Sequence, residues 1–397
     1  MKAALKKNPF FAYLLGQVRG KLQERVIKKE YRYYLNKARH LALDTIEPAE
    51  MWTRLQSKLS KRNIVWPNGN DCHILYVSTP SPWEDHNLPP EIAKIASCST
   101  YYLSHRPGFP NAGNIQEQRL FCDIDLVKYI EELHQQHKID IVLSYLSGSH
   151  LSPSSVEEIG NLGIATFLFH LDDRISFRGQ IINGCWTGSA SVASAYDACL
   201  TASSDSIIKY LVEGGLAFEW PEGANPEVYK WQHLPFRYEV SFVGARYGFR
   251  AELISYLRNR GINIECFGHG WNNARVGVED QVKIYNQSRI NLGFGYIGFS
   301  KEQHFKGRDF EVPMSGGLYL TSHNQYLPSV YDIGNEIMTY ATMEDCYNKI
   351  KWLLSNPEEA ARIRLAGYTR ATNDHKWRDR IALLVHGPGH FMNPEII

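Results

Sequence analysis

"VSFVGARYGFRAELISYLRNRGINIECFG", residues 240–268, decides the fold class. VSFVGA reads as a strand, RYGFRAELISYLRNRG as a helix and INIECFG as the next strand. A helix (VEDQVKIYNQS) and a strand (RINLGFG) follow, then a charged helix, the strand GLYLTS and the strand EIMTY. Three helical stretches, 343–355, 357–372 and 374–386, close the chain. The same rhythm runs earlier through the strands HILYVS, IDIVLSYL, IATFLFH and DACLTAS. Between the first two of these, TPSPWEDHNLPP reads as a Pro-rich loop and DIDLVKYIEELHQQHK as a helix with Asp123 near its N-cap. SPSSVEEIGNLG reads as a capped short helix and SDSIIKYLVEGG as a further helix. Alternating strands and helices imply parallel sheets covered on both faces. The polar, Pro-rich PEGANPEVYKWQHLPFRYE separates the two runs as a linker. The expected organisation is a basic helical extension (1–69), one Rossmann-like domain (70–230), a second (231–372) and a C-terminal helix (373–397) packing back across the cleft. Two such domains are expected to take a ligand between them, at the carboxyl ends of their strands.

At 397 residues the chain exceeds one ordinary core, and 44% hydrophobic with 21% charged residues suits a soluble globular protein. No apolar run reaches the ~18 residues of a membrane span, and FFAYLL is too short for a signal peptide. The seven cysteines are scattered without C-x-x-C spacing, which reads as reduced cytoplasmic thiols rather than a zinc site. Residues 1–40 carry eleven Lys/Arg against two Glu, so the rest of the chain is acidic. Phe10, Phe11, Tyr13, Leu14 and Leu15 stand beside Lys6, Lys7, Arg19, Lys21 and Arg25. Two readings stand: a helix whose apolar side packs on the body, or one that meets an anionic membrane at the inner face of the cell. An acidic body without a basic stripe argues against nucleic acid.

"FKGRDFEVPMSGGLYLTS" (305–322) runs a charged helix into paired glycines and a buried strand. Gly316 and Gly317 let backbone approach with no side chain in the way. Lys306 and Arg308 suit phosphates, and Glu311, three residues after Arg308, shares its helix face and suits a ribose diol. The same spacing equally suits a surface salt bridge.

This segment resembles the R-x-F-E-x-x-x-x-G-G stretch of the CgeB-like glycosyltransferases, within the GT-B class. PEGANPEVY, VSFVGARYGFR, CFGHGW, IYNQSRINLGF and the tail from NEIMTY to AGYTR are similar to other pieces of that family in the same order, over about 160–385. The resemblance implies a GT-B fold, with 70–230 as acceptor domain and 231–372 as nucleotide-sugar donor domain. It puts Glu311 at the ribose and the Gly316 and Gly317 amides near the diphosphate or sugar. Gly244, Arg246 and Arg250 fall beside the phosphates, and His269 and Trp271 near the base. Many relatives carry a glutamate eight positions before the ribose one, where this chain has Gln303 beside Glu302.

On the N-terminal side, FLFHLDDRISFRG sets His170, Asp172 and Asp173 past a strand's carboxyl end, where an aspartate can serve as base or His170 can hydrogen-bond the sugar. The alternative is that one Asp caps a turn and the other pairs with Arg174. His150 and STPSPW (78–83) are further candidates. DID (123–125) mimics a metal motif but opens a helix, and GHG (268–270) lacks the rest of a dinucleotide fingerprint. No metal and no NAD are therefore expected, the diphosphate being met by arginine, lysine and backbone amides. The expected function is transfer of a sugar from a UDP-, GDP- or dTDP-sugar to a glycan, lipid-linked or protein acceptor. The alternatives are a non-catalytic GT-B-like subunit that binds a glycan or partner, and a sugar-nucleotide epimerase, for which the basic arm has no use.

Overall fold

The computed structural model describes residues 9–66, 71–79, 82–110 and 114–386; for 9–14 and 82–84 only the backbone is described. Lys6 and Lys7, the side chains of Phe10, Phe11, Tyr13 and Leu14, and part of STPSPW therefore lie outside the described residues. The chain divides into an N-terminal unit (Glu30–Pro221 with Trp377–Ile397) and a C-terminal unit (Met1–Lys29 with Glu222–Lys376). The first helix, α1 (Pro9–His40), contributes to both, so the helical residues 1–69 form no third unit.

In the N-terminal unit, α2 (Pro48–Ser60) precedes β1 (His73–Ser78), α3 (Pro82–Ile92), β2 (Ser97–Tyr102), α4 (Ile115–Gln136) and β3 (Ile141–Ser144). Then come α5 (Pro153–Asn161), β4 (Ala165–His170), α6 (Asp173–Ser176), the two-residue pair β5 (Ile181–Ile182) and β6 (Cys185–Trp186), β7 (Ala198–Thr201), α7 (Ile207–Val212) and β8 (Ala217–Glu219). Six strands form one parallel sheet in the order β2-β1-β3-β4-β7-β8. All six residues of β1 are buried, as expected for a strand covered on both faces. Successive side chains point to opposite faces. Leu75 and Val77 accordingly join a core with Tyr34, Leu126, Ile130 and Val156, while Ile74 and Tyr76 join another with Trp52, Leu88 and Trp377.

Three sequence expectations are corrected here. The Pro-rich segment after β1 is a helix, α3, although Pro89 and Pro90 lie inside it. Each proline removes an N–H donor, but Leu88 and Ile92 are wholly buried, and this packing overrides propensity. Asp123 does not cap its helix: α4 starts eight residues earlier, where the Asn114 side chain accepts from the amides of Gln116 and Glu117. Asp123 instead accepts from Ser152 and Ser155 at the start of α5, and Asp125 from Tyr101 and Arg106. The edge strands β2 and β8 were not expected.

The last helix, α13 (Trp377–His386), belongs to the N-terminal unit. Its Trp377 ring lies 5.5 Å from Trp220, and Trp220 Nε1 donates to the carbonyl of Arg380. Arg378 pairs with the buried Glu91 of α3 at 3.0 Å.

In the C-terminal unit, β9 (Tyr238–Val243), α8 (Phe249–Arg258), β10 (Ile264–Phe267), α9 (Val278–Gln287), β11 (Ser288–Leu292), α10 (Gly307–Met314), β12 (Tyr319–Ser322), β13 (Met338–Tyr340), α11 (Met343–Ser355) and α12 (Pro357–Asp374) follow in order. Their sheet is parallel throughout, in the order β10-β9-β11-β12-β13. One core, around Val240, Leu253, Ile290 and Ile350, covers one face, and another, around Phe305, Phe310 and Tyr285, the other. Among the described residues, no helix is long and apolar enough to cross a membrane.

Candidate functional site

The carboxyl end of β9 organises the C-terminal unit's polar residues. Gly244 follows Val243 with φ +156°, a conformation that side chains disfavour. A Cβ there would sit 2.8 Å from the Phe242 ring and 3.4 Å from Arg308 Nη1. Gly244 is thus the point where backbone, ring and guanidinium converge. Its amide donates to Phe267 at 2.8 Å, and its carbonyl accepts from Trp271 Nε1 at 2.8 Å.

Arg250, on α8, and Arg308, in the first turn of α10, both lie near Phe242, with guanidinium carbons 5.4 and 5.6 Å from the ring centre. Arg250 is buried and rests 4.0 Å over Tyr247; it donates once, from Nη1 to Ala245 O at 3.0 Å. Its Nε has no partner, and no acceptor among the described residues meets Arg308, whose Nε is also buried. Burial first, and the adjacent positive Arg308 second, lower Arg250 to about 10. Two like charges held together, short of acceptors and backed by aromatic faces, form an anion-binding arrangement.

Glu311 lies one turn beyond Arg308 and is buried. Gln281 of α9 donates to its Oε2 at 3.1 Å, and the Tyr229 hydroxyl lies near it. Burial raises the carboxyl to about 7, against the opposing pull of Arg308. Gly307 leaves the space beside it open: a Cβ there would lie 3.0 Å from Glu311 Oε1 and 3.4 Å from Glu222 Oε2. Glu222, Tyr229, Gln281 and Phe242 were absent from the sequence-derived set. Glu222 and Tyr229 belong to the segment read as linker, and that segment's resemblance to a family motif was the available signal.

The other expected residues are placed less simply. Lys306 Nζ lies 2.5 Å from His304 Nε2, and its amide donates to Asp309 Oδ2 at 2.8 Å. Asp309 is buried, accepts from Tyr319 and is raised by burial to about 6. Arg246 is exposed, its guanidinium 5.5 Å from the Trp271 ring; His269 is exposed, and its carbonyl accepts from Arg246 N at 2.8 Å. Gln303 accepts from Ser322 at 2.5 Å, and the Ser322 hydroxyl oxygen accepts from Gly295 N.

Gly316 and Gly317 need correction. Their amides donate to Pro313 and Val312 at 2.8 and 2.9 Å, closing the end of α10, and so face no ligand. Gly316, at φ +68°, packs on Trp231: a Cβ would lie 2.4 Å from that ring. Its carbonyl accepts from Arg364 Nε. These glycines serve packing.

In the N-terminal unit, His170 ends β4 and Asp172 precedes α6, both half-buried. Asp172 N donates to His170 Nδ1 at 3.1 Å. Asp173, expected as a catalytic candidate, is wholly buried and accepts from Tyr210 at 3.0 Å, which withdraws it from any substrate. Burial raises its carboxyl. Arg174 pairs with Asp205 at 3.5 Å. His150 accompanies His170; burial first, then that histidine's charge, lowers it to about 4.

Residues 250–386 match the profile of a family described as glycosyl transferase-like. No curated protein matches the chain. Among solved structures, a sucrose-phosphate synthase from Thermosynechococcus elongatus aligns at 10% identity and TM-score 0.55, over 79% of this chain and 97% of that one. A glycosyltransferase from Rickettsia africae aligns at 12% and 0.55, over 79% and 98%. Anabaena Alr3699/HepE, crystallised with UDP-glucose, aligns at 11% and 0.53, over 79% and 98%. The chain has the fold of these GT-B glycosyltransferases, as its parallel-sheet units were expected to have.

Proposed function

We propose that the protein transfers a sugar from a nucleoside diphosphate sugar to an acceptor hydroxyl. The observation that carries this reading is the Arg250–Arg308 pair, held against Phe242 with one backbone carbonyl as acceptor among the described residues, one helical turn from the buried Glu311. A diphosphate supplies the missing anion, and a ribose diol fits a carboxyl already framed by Gln281 and Tyr229. The glycosyl transferase-like profile covers Arg250, Arg308 and Glu311, and a protein of this fold has been crystallised with UDP-glucose. In the reaction the acceptor oxygen bonds to the anomeric carbon and the bond to the diphosphate breaks. The leaving group departs with its electron pair into the field of the two guanidiniums. The acceptor proton passes to a base, for which His170 and Asp172 are the candidates. The acceptor is a glycan, a lipid-linked sugar or a protein.

The arginines meet the leaving group's charge, so the reading needs no divalent cation. Calorimetry with UDP, GDP, dTDP and ADP tests the donor site: one diphosphate should bind, and its nucleoside should bind far more weakly. Failure of all four to bind sinks the reading. Turnover of the matching sugar nucleotide in EDTA tests metal independence, and loss reversed by manganese refutes it.

A further inference from the structure

α1 has an inner and an outer side. Gly20, Ile27, Tyr34 and Ala38, seven, seven and four residues apart, are buried. The opposite side carries Leu15, Val18, Leu22 and Val26 at helical spacing of three, four and four, and these remain between 43% and 64% exposed. Four aliphatic side chains in one stripe on a charged helix are not scattered surface residues. Lys21 and Arg25 border one side of the stripe and Arg19 the other, Lys29 continues its line, and all four are exposed. Over residues 15–40 the helix has eight Lys/Arg and two Glu. Both acids face away from the stripe: Glu24 accepts from Lys301 N at 2.7 Å, and Glu30 pairs with Lys209 at 3.0 Å. The outward face is therefore apolar along its middle and cationic along its edges.

We propose that this face lies on the surface of an anionic phospholipid bilayer. Charge complementarity selects that occupant: aliphatic side chains enter the acyl boundary while lysine and arginine stay among acidic headgroups. The helix lies along the surface, since no helix among the described residues is apolar enough to cross.

The test is flotation of the full chain with two kinds of vesicle: phosphatidylcholine alone, and equal parts phosphatidylcholine and phosphatidylserine. The protein should float with the second kind, poorly with the first, and be released by molar salt. The double variant Leu22→Glu/Val26→Glu should cut the bound fraction at least tenfold. Both positions are exposed, so an unchanged unfolding midpoint certifies the fold. Lys21→Ser/Arg25→Ser should also weaken flotation and flatten its salt dependence. Equal flotation on both vesicles overturns the proposal, as does undiminished flotation of the Glu variant. A full-length dimer in sedimentation that the Glu variant dissolves makes the face a self-interface, and overturns it too.

Discussion

Arg174 in the N-terminal unit and Arg250 and Arg308 in the C-terminal unit all stand just past the ends of parallel strands, yet their surroundings differ. Arg174 faces Asp205, and Asp173 beside it holds Tyr210. Arg250 and Arg308 both lie near Phe242, 5.4 and 5.6 Å from the ring centre, and a single backbone carbonyl accepts from Arg250. Folding tolerates the second arrangement only at a cost in stability, because like charges repel and burial removes their hydration. In the first arrangement the guanidinium already has a carboxylate as counter-ion. The contrast separates side chains that hold the fold from those waiting for an anion, a distinction that residue type alone does not make.

The largest effect expected from this contrast is on stability. Burial raises Glu311 from 4.5 to about 7, so the folded state binds more protons than the unfolded state between those values. Stability from this group is complete below about pH 4.5 and is lost as pH rises through about 7. Asp309, raised from 3.8 to about 6, adds in the same direction. Glu311→Gln should therefore stabilise the protein by up to ~3 kcal/mol near pH 8 and by almost nothing near pH 4, while losing nucleotide affinity. Denaturant titrations at both pH values check this; a variant less stable near pH 8 would show a carboxylate that is well solvated.

Next, Arg308→Ala should weaken the cognate nucleoside diphosphate about 100-fold, or ~2.7 kcal/mol, and leave the nucleoside nearly unaffected. Calorimetry reads both, and equal losses would take Arg308 away from the phosphates. Asp173→Ala leaves the buried Tyr210 hydroxyl without its acceptor. It should cost about 1–3 kcal/mol of stability with nucleotide binding intact. Loss of nucleotide binding by this variant would erase the contrast between the units. The smallest effect is expected of Arg174→Ala, which should shift nucleotide affinity less than twofold.

The parallel sheets were legible because their strands are short apolar runs separated by helices. β2 was not, since SCSTYY has too few aliphatics to read as a strand. α3 was hidden by its prolines, whose local preference loses to the burial of Leu88 and Ile92. Within the site, the shared face of Arg308 and Glu311 could be read from helical spacing. The approach of Arg250 to Arg308 could not, because it depends on how α8 and α10 pack around one phenylalanine. Gly316 and Gly317 misled for a related reason: a glycine pair marks close approach without saying of what, and here the object is Trp231.

Glu311 has one more consequence, visible in heat rather than in affinity. Near neutral pH its buried carboxyl is divided between protonated and ionised forms. Ribose hydroxyls donating to it favour the ionised form, so nucleotide binding should expel a fraction of a proton into the solution. The enthalpy measured at pH 7 should then change between phosphate and Tris buffers, in proportion to their heats of ionisation. Glu311→Gln should abolish that dependence. The nucleotide site would thus release a fraction of a proton on binding and recover it on release, with no net transport over the cycle.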